Sequence, residues 1–369
     1  MTTTNRTLLS PLKLGSIELP NSIIMAPLTR MRSSADGVPS DLNIEYYTQR
    51  ASAGLIITEA TSITADSVGV PNMPGIFTQE QIVAWRKVTD AVHARGGRIV
   101  IQIVHAGRAS HSSLTGGVLP VAPSALAAPG GTYSPRYESV TYETPEVLAL
   151  EALSGIVALF VQATENALEA GFDGVEIHGA NGYLLDGFLQ DGTNLRTDGY
   201  GGSITNRTRL LLEVVDAVSS VIGSDKVGVR LSPSSTYNGM SDSDPKALFN
   251  HVIAQLNTRH LAYLHMTEAR ASEIGMHDDL LHNVINNAEQ FRPVFEGAFI
   301  SAGGYTLQGA GETLAKGHAS AVAFGRMYIA NPDLVERITA EAELNKYDRA
   351  TFYGGGAEGY VDYPARVAN

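Results

Sequence analysis

The chain has 369 residues, of which 44% are hydrophobic and 17% are charged, and its 26 Lys and Arg against 38 Asp and Glu give a net charge of −12. This acidic balance, with no run of Lys or Arg, argues against a nucleic acid or an anionic membrane surface as partner. The absence of cysteine excludes disulfides, zinc–thiolate sites, cysteine-held iron–sulfur clusters and a thiol nucleophile.

Short apolar segments rich in Ile, Val or aromatic residues recur along the chain. Their length and composition are typical of strands that are buried on both faces, although periodicity alone does not separate such strands from buried helix. There are eight of them, at residues 23–26, 55–59, 99–104, 174–178, 227–231, 262–266, 298–302 and 321–325.

The segments between these strands carry helix signals. Thr78-Gln79-Glu80-Gln81 forms a capping box ahead of apolar residues at helical spacing, which stop at Gly96. A cap residue before proline predicts further helix starts at Thr144-Pro145, with an end at Gly171, and at Asp244-Pro245 and Asn331-Pro332. Residues 204–222 predict a helix that stops at Gly223, and residues 277–291 are only loosely periodic.

Eight strands that alternate with helices predict an α/β fold, a closed (β/α)8 TIM barrel, because parallel neighbours need crossover connections. Residues 11–21 predict an N-terminal hairpin that plugs the bottom of the barrel, and residues 106–143 form a long Gly/Pro/Ser-rich excursion after the third strand. A loop of that length is usually functional. We expect one domain over residues 1–369. The sequence shows no signal peptide and no apolar run of 18 residues, so we also expect a cytoplasmic protein.

The active site of such a barrel lies at the carboxyl ends of its strands. Gly303-Gly304 and Gly325-Arg326 follow strands 7 and 8, where barrels commonly bind phosphate. Glycines let backbone N–H groups approach a phosphate, and Arg326 adds a bidentate cation. The alternative is that these glycines only form turns. The polar or small residues at the ends of the other strands are Ala26, Pro27, Leu28, Thr29, Glu59, Ala60, Gln102, His178 and Arg230.

Arg230 lies near the end of an otherwise apolar strand, where an unpaired charge is costly. It is either paired with a carboxylate on a neighbouring strand, such as Glu59, or it faces a cofactor that gains negative charge. Gln102 could pair with the same cofactor, or be a buried amide with structural partners only.

Strand 4 continues as His178-Gly179-Ala180-Asn181-Gly182-Tyr183. If the chain turns at the glycines, His178 and Asn181 can donate to one oxygen in the manner of an oxyanion hole, and Tyr183 becomes a proton donor. The alternative is a histidine that caps the strand and a tyrosine in the core. No second histidine at ligand spacing supports a metal site, so we expect none.

Residues 354–359 match the pattern G-x-G-x-x-G without a strand–helix–strand unit around them, so we do not interpret them as a dinucleotide site. We expect a flexible tail that packs near the phosphate.

Taken together, these residues resemble the old yellow enzyme family of FMN-dependent ene-reductases, and most closely its bacterial N-ethylmaleimide reductase and pentaerythritol tetranitrate reductase group. The resemblance covers nearly the whole chain. It includes IIMAPLTRMRS, YYTQRASAGLIITEAT, PGIFTQEQIVAW, VHAGR, GFDGVEIHGANGYLLDGFL, NLRTDGYGGSITNRTRLLLEVV, VGVRLSP, AVAFGRMYIANPDLVERI and FYGGGAEGYVDYP.

The resemblance implies non-covalently bound FMN, with NADPH or NADH as the reductant. It implies electron-poor alkenes or nitro compounds as substrates, and nitrate esters or nitroaromatics as alternative oxidants. It assigns Tyr183 as the proton donor and His178 and Asn181 to the substrate's activating oxygen. The residues implied to bind FMN are Ala26, Pro27, Leu28, Thr29, Ala60, Gln102, Arg230, Gly303, Gly304, Gly325 and Arg326.

Three further residues are implied to line the substrate pocket: Tyr353, Val70 and Val104. Val104 stands where relatives commonly have a tryptophan and Val70 where they commonly have a tyrosine, so we expect a roomier pocket. Two other functions stay open from the residues alone: a non-redox barrel enzyme that binds a sugar phosphate, and a flavin-binding protein without turnover.

Overall fold

The computed structural model describes residues 7–271, 284 and 286–366. Its centre is a closed barrel of eight parallel strands, which end within two residues of the predicted positions. They are β1 (Ile23–Met25), β2 (Leu55–Ile57), β3 (Ile99–Val104), β4 (Gly174–His178), β5 (Val227–Leu231), β6 (Tyr263–Thr267), β7 (Phe299–Ala302) and β8 (Ala321–Phe324). Each strand pairs with the next along the chain, and β8 pairs with β1 through Val322 and Ile23, which closes the barrel. The predicted fold class is confirmed.

Helices surround the barrel. They are α1 (Asp41–Gln49), α2 (Gln79–Ala94), α3 (Leu153–Glu169), α4 (Leu184–Leu189), α5 (Ile204–Ile222), α6 (Pro245–Asn257), α7 (Asn287–Phe291), α8 (Leu307–Ala315), α9 (Arg326–Ala330) and α10 (Leu334–Thr339). The capping box at Thr78 is confirmed, since its hydroxyl accepts from Gln81 N–H and the Gln81 side chain accepts from Thr78 N–H. Among the described residues, none of the helices has both the length and the apolar character needed to span a membrane.

Two predicted helix starts are wrong. At Thr144-Pro145 the chain instead forms a short strand, Glu146–Val147, because the N–H of Glu146 donates to Pro120 O of the excursion, and α3 begins only at Leu153. At Asn331-Pro332 the Asn331 side chain donates to Met327 O and accepts from Asn345 N–H, so it does not cap a helix, and α10 begins at Leu334, after Asp333. Most of the loosely periodic segment 277–291 lies outside the described residues, and its end forms α7.

The bottom of the barrel is filled by the predicted N-terminal hairpin, Leu12–Leu14 paired antiparallel with Ile17–Leu19. Leu14, Ile17 and Leu19 are buried in one apolar cluster with Ile24, Leu55, Val100 and Ile300 of the barrel interior. Since apolar side chains fill this end, ligands can enter only from the carboxyl ends of the strands.

The expectation of a flexible tail at residues 354–359 is wrong. The loop after β1 holds this segment: Arg30 donates to Phe352 O at 2.9 Å and to Gly359 O at 2.7 Å, and Arg32 donates to Gly356 O at 2.9 Å. Because both arginines are buried, these carbonyl groups supply the acceptors that the guanidinium groups need.

Candidate active site

A continuous groove opens at the carboxyl ends of the strands and has two ends, which share Pro27, Leu28, Arg230 and Arg326 as lining residues. The first end is lined further by Thr29, Ala60, Gln102, His178, Asn181, Tyr183, Ile329, Phe352 and Tyr353. The second is lined further by Ala26, Gly303, Gly304 and Gly325, with Ala302, Ala323, Tyr305 and Tyr347 among its other residues. Every residue predicted to bind the cofactor therefore lies on this groove.

Glycines at the second end hold backbone conformations that other residues rarely adopt. Gly303 has φ of +116° and Gly304 has φ of +64°. A Cβ on Gly303 would lie 2.8 Å from the Cβ of Ala271. Gly303 therefore has no space for a side chain, and both glycines line this end of the groove with backbone atoms alone.

A layer of polar side chains lies under the groove, inside the barrel. Gln102 Nε2 donates to Glu176 Oε1 at 2.7 Å, and His265 Nδ1 lies 2.9 Å from Glu176 Oε2. Arg230 pairs in register with His178 of β4 on one side and with His265 of β6 on the other. Burial alone would raise the pKa of Glu176, but His265, Arg230 and Gln102 stabilise the carboxylate and bring its pKa below the usual range.

Glu59, named above as one alternative partner of Arg230, does not pair with it. The Glu59 carboxylate turns away from the groove, where it accepts from the backbone N–H of Arg30 at 3.0 Å and from Tyr47 OH. The carboxylate that attracts Arg230 is Glu176, which opposes the lowering of the arginine's pKa by burial. The Nε atom of Arg230 is buried and has no partner.

These features fit FMN. Arg230 lines both ends of the groove, and its cation suits the electron-rich edge of a flavin ring. Gly303, Gly304 and Gly325 with Arg326 leave a cradle for a phosphate at the other end.

The segment after β4 turns at Asn181 (φ +59°) and Gly182 (φ +75°). Two bonds fix this turn: the N–H of Asn181 donates to Ser232 Oγ and the N–H of Gly182 donates to Asp186 Oδ2, both at 2.8 Å. The turn brings Tyr183 back toward the strand end. His178, Asn181 and Tyr183 therefore lie together on the first end of the groove, with Arg230 between them and the phosphate cradle.

The protonation states of the turn follow from burial. The N–H of Ala180 donates to His178 Nδ1 at 3.3 Å, so the ring's proton lies on Nε2. Burial, helped by Arg230 and His265, places the pKa of His178 well below its ordinary value, and the imidazole is neutral. Burial raises the pKa of Tyr183 well above 10, so the phenol keeps its proton.

Val104 and Val70, expected at the pocket wall, do not face the groove. Val104 is 1% exposed and packs in a small apolar cluster with Ala60 and Met73, against which Val70 and Tyr183 also pack. Val70 lines a second cavity, between the loops after β1 and β2 and the excursion. Both valines thus lie one layer behind the groove.

Several groove residues were not predicted. Ile329 and Phe352 line the first end, and Glu176 and His265 lie under it. The two charged or polar residues had a visible signal, since each interrupts an apolar strand, and Glu176 precedes His178 by two residues on the same face. Phe352 carried none, because the bonds that its carbonyl accepts from Arg30 and Arg32 join positions more than 300 residues apart in the sequence.

Comparison with known proteins identifies the family. Residues 7–345 match the model of the NADH:flavin oxidoreductase / NADH oxidase family. A probable flavin mononucleotide-dependent alkene reductase from Leishmania infantum is 43% identical, over 97% of each chain.

Two solved structures have the same architecture. The structure of morphinone reductase in complex with tetrahydroNAD superposes with a TM-score of 0.90 at 46% identity, over 98% of each chain. An old yellow enzyme homologue from Zymomonas mobilis superposes with a TM-score of 0.92 at 39% identity, over 97% of this chain and 99% of that one. The chain therefore belongs to the NADH:flavin oxidoreductase / NADH oxidase family, the old yellow enzyme family, and is an FMN-dependent oxidoreductase of the ene-reductase type.

Proposed function

We propose that the groove works as one ene-reductase site, with the phosphate of FMN at Gly303, Gly304, Gly325 and Arg326 and the flavin ring between Arg230 and the side chains at the first end. The observation that carries this proposal is the position of His178, Asn181 and Tyr183 together at the end of the groove away from the glycine cradle.

The chemistry that FMN supplies when bound is hydride transfer, from NAD(P)H to the flavin and then from the flavin to the β-carbon of an activated alkene, and the ring gains negative charge in the first transfer. Arg230 lies where its cation stabilises that charge. Ala26, Pro27, Leu28, Thr29, Ala60 and Gln102 form the rest of the ring's surroundings.

His178 and Asn181 bind the substrate oxygen. The Nε2–H of His178 and the amide of Asn181 each offer a hydrogen bond to the carbonyl or nitro oxygen, which gains negative charge as hydride reaches the β-carbon. Because His178 is neutral, it donates a hydrogen bond without giving up its proton. The Asn181 side chain lines the first end of the groove, and its buried Oδ1 atom has no partner.

Tyr183 completes the reduction by giving its phenolic proton to the α-carbon, and the tyrosinate recovers a proton from water. Because burial raises the pKa of Tyr183, the phenol holds its proton before the reaction, and the tyrosinate left after the transfer is a strong base that water soon reprotonates. Electron-poor alkenes with a carbonyl or nitro group are therefore the substrate class, and nitrate esters or nitroaromatics are alternative oxidants. Tyr353 lies at the mouth of the site, 47% exposed, where it contacts incoming substrate.

An anaerobic titration of the purified protein tests the proposal. The yellow absorbance of the bound flavin should bleach on addition of NADPH or NADH and should recover on addition of 2-cyclohexenone, with one equivalent of cyclohexanone formed. A colourless protein would contradict the placement of FMN in the groove. A protein whose flavin bleaches but is not reoxidised by any enone or nitroalkene would contradict the ene-reductase activity.

A further inference from the structure

The buried carboxylate under the groove has no role in the reaction described above. We propose that Glu176 is a positioning residue that lowers the reduction potential of the bound flavin, by fixing the Gln102 amide and by offsetting part of the charge of Arg230. The inference rests on the flavin placement proposed above.

Glu176 lies in the middle of β4, with a fully buried side chain. Its two oxygens are used by side chains from two other strands: Gln102 Nε2 of β3 donates at 2.7 Å and His265 Nδ1 of β6 lies at 2.9 Å. Burial keeps the pKa of His265 below its ordinary value, so this histidine is a neutral donor to Glu176. The negative charge at this layer therefore belongs to Glu176 and the positive charge to Arg230.

The first consequence concerns Gln102. An amide that faces a carboxylate must turn its N–H₂ group toward it, since two acceptor oxygens would repel each other. The orientation of the Gln102 amide is thereby fixed, and its carbonyl oxygen and second N–H are left for the groove, which the residue lines. A flavin ring presents an imide edge with both a donor and acceptors, so the orientation of Gln102 determines which of them are matched.

The second consequence concerns charge. Arg230 and Glu176 lie on neighbouring strands, and their attraction counters the effect of burial on the arginine. A flavin ring that gains negative charge on reduction is attracted by Arg230 and repelled by Glu176, in an interior where such interactions are weakly screened. Glu176 thereby makes the reduced cofactor less stable and a better hydride donor.

Glu176→Gln tests the proposal with little change in volume. The new amide can still accept from Gln102, and it can donate to His265 once the histidine's proton moves to Nε2. We expect the midpoint potential of the bound FMN, measured by equilibration with a dye of known potential, to rise. The shift should correspond to about tenfold or more in the two-electron equilibrium, about 30 mV. Glu176→Asp keeps the charge and should shift the potential much less.

Asp186→Asn is the matched control. It also removes one buried carboxylate close to the groove, but Asp186 bonds to Gly182 and Gln190 and not to Gln102 or Arg230. Its potential should stay at the wild-type value. If Glu176→Gln does not fold, Arg230→Gln is compared with the double variant Glu176→Gln/Arg230→Gln. Adding Glu176→Gln to Arg230→Gln should again raise the midpoint potential.

The failure of this inference is separate from that of the proposed function. If the wild-type enzyme binds FMN and reduces 2-cyclohexenone while Glu176→Gln has an unchanged potential, Glu176 is structural only and the site assignment stands. An equal shift in Asp186→Asn would also overturn the inference, since the effect would then be general to buried carboxylates.

Discussion

The rings of His178 and Tyr183 meet edge to face, with centroids 4.9 Å apart and planes at 85°. The four residues of chain between them fold back through the turn at Asn181 and Gly182, so the imidazole and the phenol converge on one end of the groove. Both rings are buried and neutral, which fits the proposed roles of His178 as a hydrogen-bond donor and Tyr183 as a proton donor.

Arg326→Ala should weaken FMN binding. A charge-assisted hydrogen bond is worth about 1.5–3 kcal/mol, so we expect the dissociation constant of FMN to rise by roughly 10- to 100-fold. Fluorescence titration of the apoprotein with FMN measures this. Arg98→Ala removes a cation at the start of β3, on the far side of the barrel from the groove, and should leave the constant unchanged. Full retention of FMN by Arg326→Ala would refute the phosphate assignment.

His178→Ala and Asn181→Ala should each weaken the binding of phenols, which present an anionic oxygen to the same donors. We expect a rise of roughly 10- to 100-fold in the dissociation constant for either variant, because one donor to a charged oxygen is lost. The charge-transfer absorbance of the flavin–phenolate complex reports binding directly. The assignment fails if neither variant changes the affinity.

Asp186 makes stability depend on pH. Burial raises its pKa to about 6, above the ordinary 3.8, so the folded protein holds a proton more readily than the unfolded chain between these values. The contribution of Asp186 to the free energy of unfolding is therefore highest at low pH and is lost as the pH rises through about 6. We expect the protein to be about 2 kcal/mol less stable at pH 7 than at pH 4.5 because of this group.

Denaturant unfolding of the wild type and of Asp186→Asn at the two pH values measures the difference, which should disappear in the variant. Asp90→Asn, an exposed position on α2, is the control and should behave as the wild type. An unchanged pH dependence in Asp186→Asn would show that other groups cause it.

Val104→Trp should narrow the groove, because Val104 is 1% exposed and belongs to the same packed cluster as Ala60 and Tyr183, which line the groove. Overpacking of this kind costs about 1–3 kcal/mol. We expect a lower melting temperature and a larger loss of rate with a bulky cyclic enone than with 2-cyclohexenone.

Val70→Tyr is the matched comparison. Val70 lines the second cavity, which can take a phenol ring, so both rates and the melting temperature should change less than in Val104→Trp. If Val104→Trp slows the reduction of both enones equally, the residue at position 104 does not control which substrate sizes the groove accepts.

The fold was predictable because its signals are local. Eight apolar runs, the capping box at Thr78 and the proline after Asp244 each act within a few residues, and the parallel barrel follows from their alternation. The error at Thr144-Pro145 shows where local signals fail, since backbone hydrogen bonds to residues 120–122 form a strand where the local sequence favours a helix start.

Most of the groove's lining could be predicted from the sequence, but Val70, Val104 and the side-chain pairings could not. Residues at the ends of parallel strands must meet, so Arg230, His178 and the glycines were found from position alone. Whether Arg230 faces Glu59 or Glu176 depends on which way each side chain points, which a short apolar run does not reveal. The anchoring of residues 352–359 by Arg30 spans over 300 positions of sequence and left no local signal.

The role of Tyr183 is the central claim, and stopped-flow measurement of the two half-reactions in Tyr183→Phe tests it most directly. Flavin reduction by NADPH should be nearly unchanged, since it needs no proton from the phenol, while reoxidation by 2-cyclohexenone should slow by roughly 10²–10⁴-fold. Tyr133→Phe, the same chemical change at an exposed tyrosine that lines neither end of the groove, should leave both rates close to the wild type. Equal losses in the two half-reactions of Tyr183→Phe would contradict the account and make Tyr183 a structural residue.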